Sequence, residues 1–111
     1  EQGYDIVNSH HLFTYLDYSH EKISLGKAYS FEPIPSELNS RFHNKIRGLG
    51  CQLWTEYFIN AEQVYRQTFP RLAAYAEVGW SPKEKRNFSD FQSRLKILMQ
   101  HWHQRDICYT N

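Results

Sequence analysis

Two short stretches of this 111-residue chain set an aromatic ring and a carboxylate two residues apart: Tyr15-Leu16-Asp17 and Trp54-Thr55-Glu56. In an extended segment, residues two apart point to the same side. Such a pair suits a sugar. The ring offers a flat apolar face to C–H groups, and the carboxylate accepts hydrogen bonds from hydroxyls. The competing reading is structural: a core indole beside a solvated Glu56, and a strand extension over Leu12–Tyr18 with Asp17 at its edge. Both pairs fall where a strand is expected to end, and the repetition favours a site.

The elements that must hold these pairs are two strands. Tyr4–Ser9 has β-branched Ile6 and Val7 and then turns polar. Ile46–Glu56 alternates Leu49, Cys51 and Leu53 with Gly50, Gln52 and Trp54, the period of a pleated strand, and reads as one buried strand ending in a site. Gly48 and Gly50 permit close approach of another backbone. Between the strands, residues 19–45 form a long connection. It has a short helical piece over Ile23–Tyr29, an extended Glu32-Pro33-Ile34-Pro35, and a short helix over Glu37–Asn44 capped by Ser36.

Helices follow the second pair. Asn60 is the expected N-cap of Ala61–Thr68. Pro70 fits the first turn of a helix over Pro70–Gly79. Leu72, Ala73, Ala76 and Val78 are its expected apolar contacts, with the alanines close against a sheet. Lys83–Arg86 reads as a solvated turn, and Ser89-Asp90-Phe91-Gln92 as a capping box. Phe91, Leu95, Leu98 and Trp102, spaced by four, three and four residues, give one apolar stripe on a helix over Asp90–His103. Strands alternating with helices indicate a parallel sheet in an α/β chain. In α/β barrels the active site lies at the C-terminal ends of the strands, where both pairs fall. Two strands cannot close a barrel, so the chain reads like the last quarter of one.

Composition narrows the function classes. Hydrophobic residues make up 41% and charged residues 23%, ordinary for one globular domain, 1–111. The aromatic share of 16%, with eight Tyr, seven Phe and three Trp, fits a ligand-stacking surface or a core of large side chains. A net charge of +1 gives no electrostatic case for nucleic acid or an anionic membrane. No apolar run is long enough to span a bilayer, and Glu1-Gln2-Gly3-Tyr4 has no signal-peptide character. Cys51 and Cys108 read as free thiols. His10 and His11 are adjacent, so an extended chain would point them apart; His101 and His103 do not share a helix face. No spacing resembles a zinc site, and no metal or other cofactor is expected.

The chain resembles the C-terminal part of the catalytic domain of family 20 glycoside hydrolases, the β-N-acetylhexosaminidases, from about Gly3 to Tyr109. Three motifs in order carry the resemblance: Tyr15-Leu16-Asp17, the run from Gly48 through Glu56, and the run from Phe69 through Trp80. It implies a C-terminal fragment of a (β/α)8 TIM barrel, about the last two βα units. It also implies substrate-assisted retaining hydrolysis of terminal non-reducing N-acetylhexosamine, with the acetamido group of the substrate as nucleophile. In that scheme Tyr15 hydrogen-bonds the acetamido carbonyl oxygen, Asp17 and Glu56 bind sugar hydroxyls, and Trp54 walls the pocket. An adjacent Asp-Glu pair does the central work: the Asp orients and stabilises the acetamido group, and the Glu is the general acid and base.

The chain departs from that pattern in three places. It has no adjacent Asp-Glu pair and no early strand to supply the sugar-gripping arginine of the family, and it has Phe13-Thr14 where the family often has a Trp. It therefore reads as part of an enzyme, inactive alone and prone to self-association. Its expected partner is an N-acetylhexosamine-containing glycan, and the parent is expected to be periplasmic, secreted or lysosomal. The alternative is a stand-alone carbohydrate-binding or interaction module.

Overall fold

The computed structural model describes residues 2–111. Strand β1 (Ile6–Asn8) and strand β2 (Ile46–Leu49) pair in parallel, with Ile6 opposite Ile46, Val7 opposite Gly48 and Asn8 opposite Leu49. Arg47 is skipped in this register, which makes it the extra residue of a bulge. Its guanidinium reaches the Asp5 carboxylate at 2.9 Å, on the exposed side of the ribbon.

Beyond β1 the two chains part and rejoin. Gly50 N–H donates to the Asn8 carbonyl at 3.0 Å. A Cβ on Gly50 would lie 2.5 Å from Ser9 Oγ, so only glycine permits this approach. Residues after Ser9 then form a one-turn helix, α1 (His11–Thr14), in place of the strand extension expected over Leu12–Tyr18. His10 Nδ1 accepts from Leu12 N–H as the cap, and Thr14 Oγ1 donates to the His10 carbonyl. These local side-chain bonds compete with extension. They also overturn the opposed placement of His10 and His11, whose rings stack at 5.5 Å and 5°. After α1 the chains meet again as Gln52 N–H donates to Thr14 (3.1 Å) and Leu16 N–H to Gln52 (2.7 Å).

The long buried strand expected over Ile46–Glu56 is shorter and wetter. Pairing in β2 stops at Leu49, a single bridge joins Tyr15 to Gln52, and residues from Leu53 onward leave the sheet. Among the described residues β2 has a strand neighbour on one side only, so part of its surface stays open.

The connection folds into helix α2 (Leu25–Tyr29), capped by Ser24 Oγ, and a 3-10 turn over Ser40–Lys45. Asn39, not Ser36, caps that turn: its Oδ1 takes Arg41 N–H at 3.1 Å, while a Pro35–Leu38 turn occupies the segment after Ser36. Helix α3 (Ala61–Thr68) starts at Asn60, whose Oδ1 accepts from Gln63 N–H at 2.9 Å, as the sequence indicates. Helix α4 (Arg71–Trp80) follows Pro70. Helix α5 (Phe88–Gln104) begins earlier than the capping-box pattern suggests. Asn87 takes the cap, with Asp90 N–H at 3.0 Å, because Phe88 packs its ring on Tyr29 at 5.3 Å and belongs to the helix.

The core lies where α2, α4 and α5 meet: Ile23, Ala28, Tyr29, Ala74, Tyr75, Val78, Phe91, Leu95 and Trp102. The buried face of α4 is Arg71, Ala74, Tyr75 and Val78; the expected Ala76 is exposed. On α5, Phe91, Leu95 and Trp102 are buried but Leu98 is 40% exposed, because Trp102 turns to Phe69 (4.7 Å) beyond it. Glu77 ties the three helices together, accepting from Tyr29 Oη at 3.0 Å and from Arg94 Nη2 at 2.7 Å. Both cysteines are free and half-buried, and burial pushes the Cys51 thiol up. No helix of the described residues is long and apolar enough to cross a membrane.

Candidate functional site

The Tyr15–Gln52 bridge fixes the site. It sets two backbones side by side in register, so Asp17 and Trp54 each follow two residues beyond the bridge. Tyr15 and Trp54 come together from opposite halves of the chain, ring centroids 6.1 Å apart and planes at 56°. Tyr18 lies 5.8 Å from Tyr15 on the other side, and His11 meets Tyr15 edge-on at 5.9 Å. His11 Nδ1 lies 3.4 Å from Tyr18 Oη. The result is an aromatic wall at the ends of the two strands, with Trp54 50% exposed. A Trp that open is not a core residue of this chain, so a stacking surface is available.

Asp17, two residues beyond the bridge, is half-buried, and its Oδ1 is buried without a hydrogen-bond partner. Gln52 Oε1 is in the same state, while its Nε2 donates to Ser9 Oγ at 2.9 Å. Buried acceptors are normally satisfied, so each of these oxygens is one to which a donor is owed. Sugar hydroxyls are such donors. Glu56 is placed differently. The alternation that would turn it toward Trp54 lapses after Gln52, and Glu56 opens an exposed turn. The structure thus brings Tyr15 and Trp54 together, carries Asp17 two residues beyond the bridge, and leaves Glu56 on an exposed turn. Among the described residues, no group of three His, Cys, Asp or Glu is arranged to hold a metal ion.

Reading the sequence for apolar contacts misses what holds the Tyr15–Asp17 segment in place. Three side chains on one face of α3 and α4, Gln67, Arg71 and Tyr75, donate to its main-chain carbonyls. Gln67 Nε2 reaches Asp17 O at 3.0 Å. Arg71 Nη2 reaches Leu16 O at 2.5 Å, and its Nη1 reaches Tyr18 O at 2.7 Å and Ile23 O at 3.2 Å. The same guanidinium returns to Gln67 O through Nη2 at 2.6 Å and Nε at 3.2 Å. Tyr75 Oη donates to Phe13 O. Arg71 is fully buried, which pulls it down from its ordinary value, with Tyr75 and Asp17 opposing. Burial pushes the Tyr75 phenol up to about 12, so it remains a donor. The available signal was the spacing of four between Arg71 and Tyr75 on α4, each a hydrogen-bond donor.

A sequence model of the glycosyl hydrolase family 20 catalytic domain matches residues 1–83. A β-hexosaminidase of Porphyromonas gingivalis is 39% identical over 71 residues, 64% of this chain and 9% of its own length. The β-hexosaminidase subunit B1 of Dictyostelium discoideum is 33% identical over 94 residues, 85% of this chain and 16% of its own. Among solved structures, the family 20 exo-β-N-acetylglucosaminidase of Vibrio harveyi in complex with N-acetylglucosamine superposes with a TM-score of 0.85 at 30% identity. It covers 99% of this chain, which spans 19% of it. The family 20 β-N-acetylhexosaminidase of Streptomyces coelicolor gives a TM-score of 0.86 at 27% identity, over 96% of this chain and 24% of its own. The chain therefore spans well under a quarter of the length of either curated relative.

Proposed function

The chain belongs to glycosyl hydrolase family 20, and from that premise we propose that it forms part of a β-N-acetylhexosaminidase. The parent enzyme removes terminal non-reducing N-acetylhexosamine, as N-acetylglucosamine or N-acetylgalactosamine, from glycans. Residues 1–111 supply about the last two βα units of its (β/α)8 barrel. The order of β1, a long connection, a parallel β2 and then helices supports that position.

In this reading the acetamido oxygen of the substrate attacks the anomeric carbon and the aglycone oxygen leaves with a proton. Tyr15 Oη donates to that acetamido oxygen. Asp17, with one buried carboxylate oxygen free of partners, accepts from a sugar hydroxyl. Trp54 walls the sugar ring, and Glu56 closes on an outer hydroxyl from the rim turn. These contacts hold acetamido and anomeric carbon in attack geometry. The acid/base Asp-Glu pair comes from outside this chain, whose sequence has none.

The observation that carries the proposal is the meeting of Tyr15 and Trp54 at parallel strand ends, in a chain that superposes over 99% of its length on a family 20 exo-β-N-acetylglucosaminidase. A stand-alone carbohydrate-binding module is the weaker reading, since the hydrolase carries the same fold within a longer chain of which this one spans 19%.

Trp54→Ala in the parent tests the proposal. It is expected to lower kcat/KM for a chromogenic N-acetylglucosaminide by roughly thirtyfold, the loss of an aromatic anchor worth about 2 kcal/mol. Melting should change little, because Trp54 is half exposed. A buried Trp would cost about 3–5 kcal/mol of stability. A large fall in melting temperature with kinetics intact in the folded fraction would reject Trp54 as a pocket wall.

The 111-residue chain by itself is expected to self-associate. Among the described residues each strand has one unpaired edge, and β1 exposes Ile6 at 50% and Val7 at 59%. An open edge pairs with another chain, and exposed apolar surface adds to the drive. Light scattering over a dilution series checks this: a folded monomer at high micromolar concentration would contradict it.

A further inference from the structure

We infer that Arg71 is a positioning residue of the sugar pocket: buried beneath the Leu16–Ile23 segment, it fixes the backbone from which Asp17 reaches the substrate. The inference rests on the reading of Asp17 as a sugar ligand.

Three successive carbonyls, those of Leu16, Asp17 and Tyr18, all turn down onto α3 and α4. Arg71 takes the first and third, and Gln67 takes the second. Once these carbonyls are fixed, the direction of the Asp17 side chain is fixed with them, because it leaves the chain at the middle of the three. Ile23 O, held by the same guanidinium at 3.2 Å, closes the segment from its far end.

The acceptors of this guanidinium are all neutral carbonyls, and among the described residues it makes no ion pair. A fully buried cation with no salt bridge is a costly component, and a purely structural site of this size could be filled by an apolar side chain. What an apolar residue could not do is grip several carbonyls at once. Only a planar fork with five N–H donors spans them; a lysine has three donors at one point. The Asp17 carboxylate acts on this charge and favours the cationic form of the arginine, against the burial that opposes it.

The test uses the full-length parent. Arg71→Lys, assayed well below its melting temperature, is expected to lower kcat/KM for an N-acetylglucosaminide by about 10²-fold, the effect of misplacing a binding group by about 1 Å. Arg71→Gly should regain activity with millimolar guanidinium ion and not with methylammonium. Gln67→Met, which removes the donor to Asp17 O and its longer contact with Tyr18 O, is expected to raise KM several-fold with melting nearly unchanged. A merely structural arginine predicts the reverse: lower melting, wild-type kcat and KM in the folded fraction, and no rescue. That result overturns the inference. Should Arg71 variants fail to fold, Gln67→Met decides, and an unchanged KM overturns it. Asp17→Asn separates the two readings. If it impairs the parent while the Arg71 and Gln67 variants do not, only the positioning role is lost. A parent that neither binds nor cleaves N-acetylglucosaminides removes both.

Discussion

Purified on its own, the 111-residue chain is expected to leave a chromogenic N-acetylglucosaminide intact. Hydrolysis of a glycoside needs a proton on the leaving oxygen, and a positioned general acid supplies about 10²–10⁴-fold. The acid of the proposed mechanism belongs to an Asp-Glu pair, and nowhere in this sequence does Asp precede Glu directly. The carboxylates the chain does bring to the site are engaged otherwise. Asp17 is half-buried and, in the proposed mechanism, accepts from a sugar hydroxyl, and Glu56 stands on an exposed turn. The acetamido oxygen would also lack the Asp that orients it, so two contributions vanish together. Turnover that scales with the concentration of the chain and survives repurification would overturn the assignment of the acid to the missing part.

The parts of the fold that sequence made legible are those governed by local chemistry. Asn60 had no close competitor as N-cap of α3, and Pro70 had few conformations open to it, so both boundaries fall within a residue of expectation. The parallel pairing follows from strands separated by a connection too long for a hairpin. Where two or more caps compete, tertiary packing chooses. Asn87 wins over Ser89 because Phe88 must be helical to reach Tyr29. Asn39 wins over Ser36 because a proline turn intervenes. The α1 turn was not legible because histidine is an unusual cap, and the pattern of aromatics there fits a strand equally well.

The site divides in the same way. Tyr15 and Trp54 could be paired from sequence because strand ends in a parallel sheet lie together, whatever fills the space between. The position of Glu56 could not, because it depends on how far pairing persists past Gln52. Gln67, Arg71 and Tyr75 were hidden for another reason. Their partners are main-chain carbonyls, which every residue carries, so no residue type in the Tyr15–Asp17 stretch announces them. The three donors are also an amide, a guanidinium and a phenol, which form no pattern unless hydrogen-bonding capacity rather than polarity is compared.

Tyr15→Phe in the parent is expected to lower kcat by about 10²-fold, the cost of an attacking oxygen no longer held in attack geometry. The geometry makes this substitution unusually clean. The backbone at Tyr15 is held by Leu16 N–H to Gln52 O at 2.7 Å and Gln52 N–H to Thr14 O at 3.1 Å, bonds the side chain does not enter. The ring is flanked by His11, Tyr18 and Trp54 at centroid distances of 5.9, 5.8 and 6.1 Å, so a phenyl ring has the same neighbours. Only the hydroxyl is lost. As the acetamido oxygen attacks, it gives up electron density to the anomeric carbon, and the phenol fixes its approach rather than the affinity of the resting sugar. KM should therefore move by less than kcat, and melting should stay within a few degrees. Steady-state kinetics with the N-acetylglucosaminide, read beside a melting curve, checks both. An unchanged kcat would remove Tyr15 from the reaction and leave it as one ring of the aromatic wall; an equal loss in affinity would make it a uniform binding group instead.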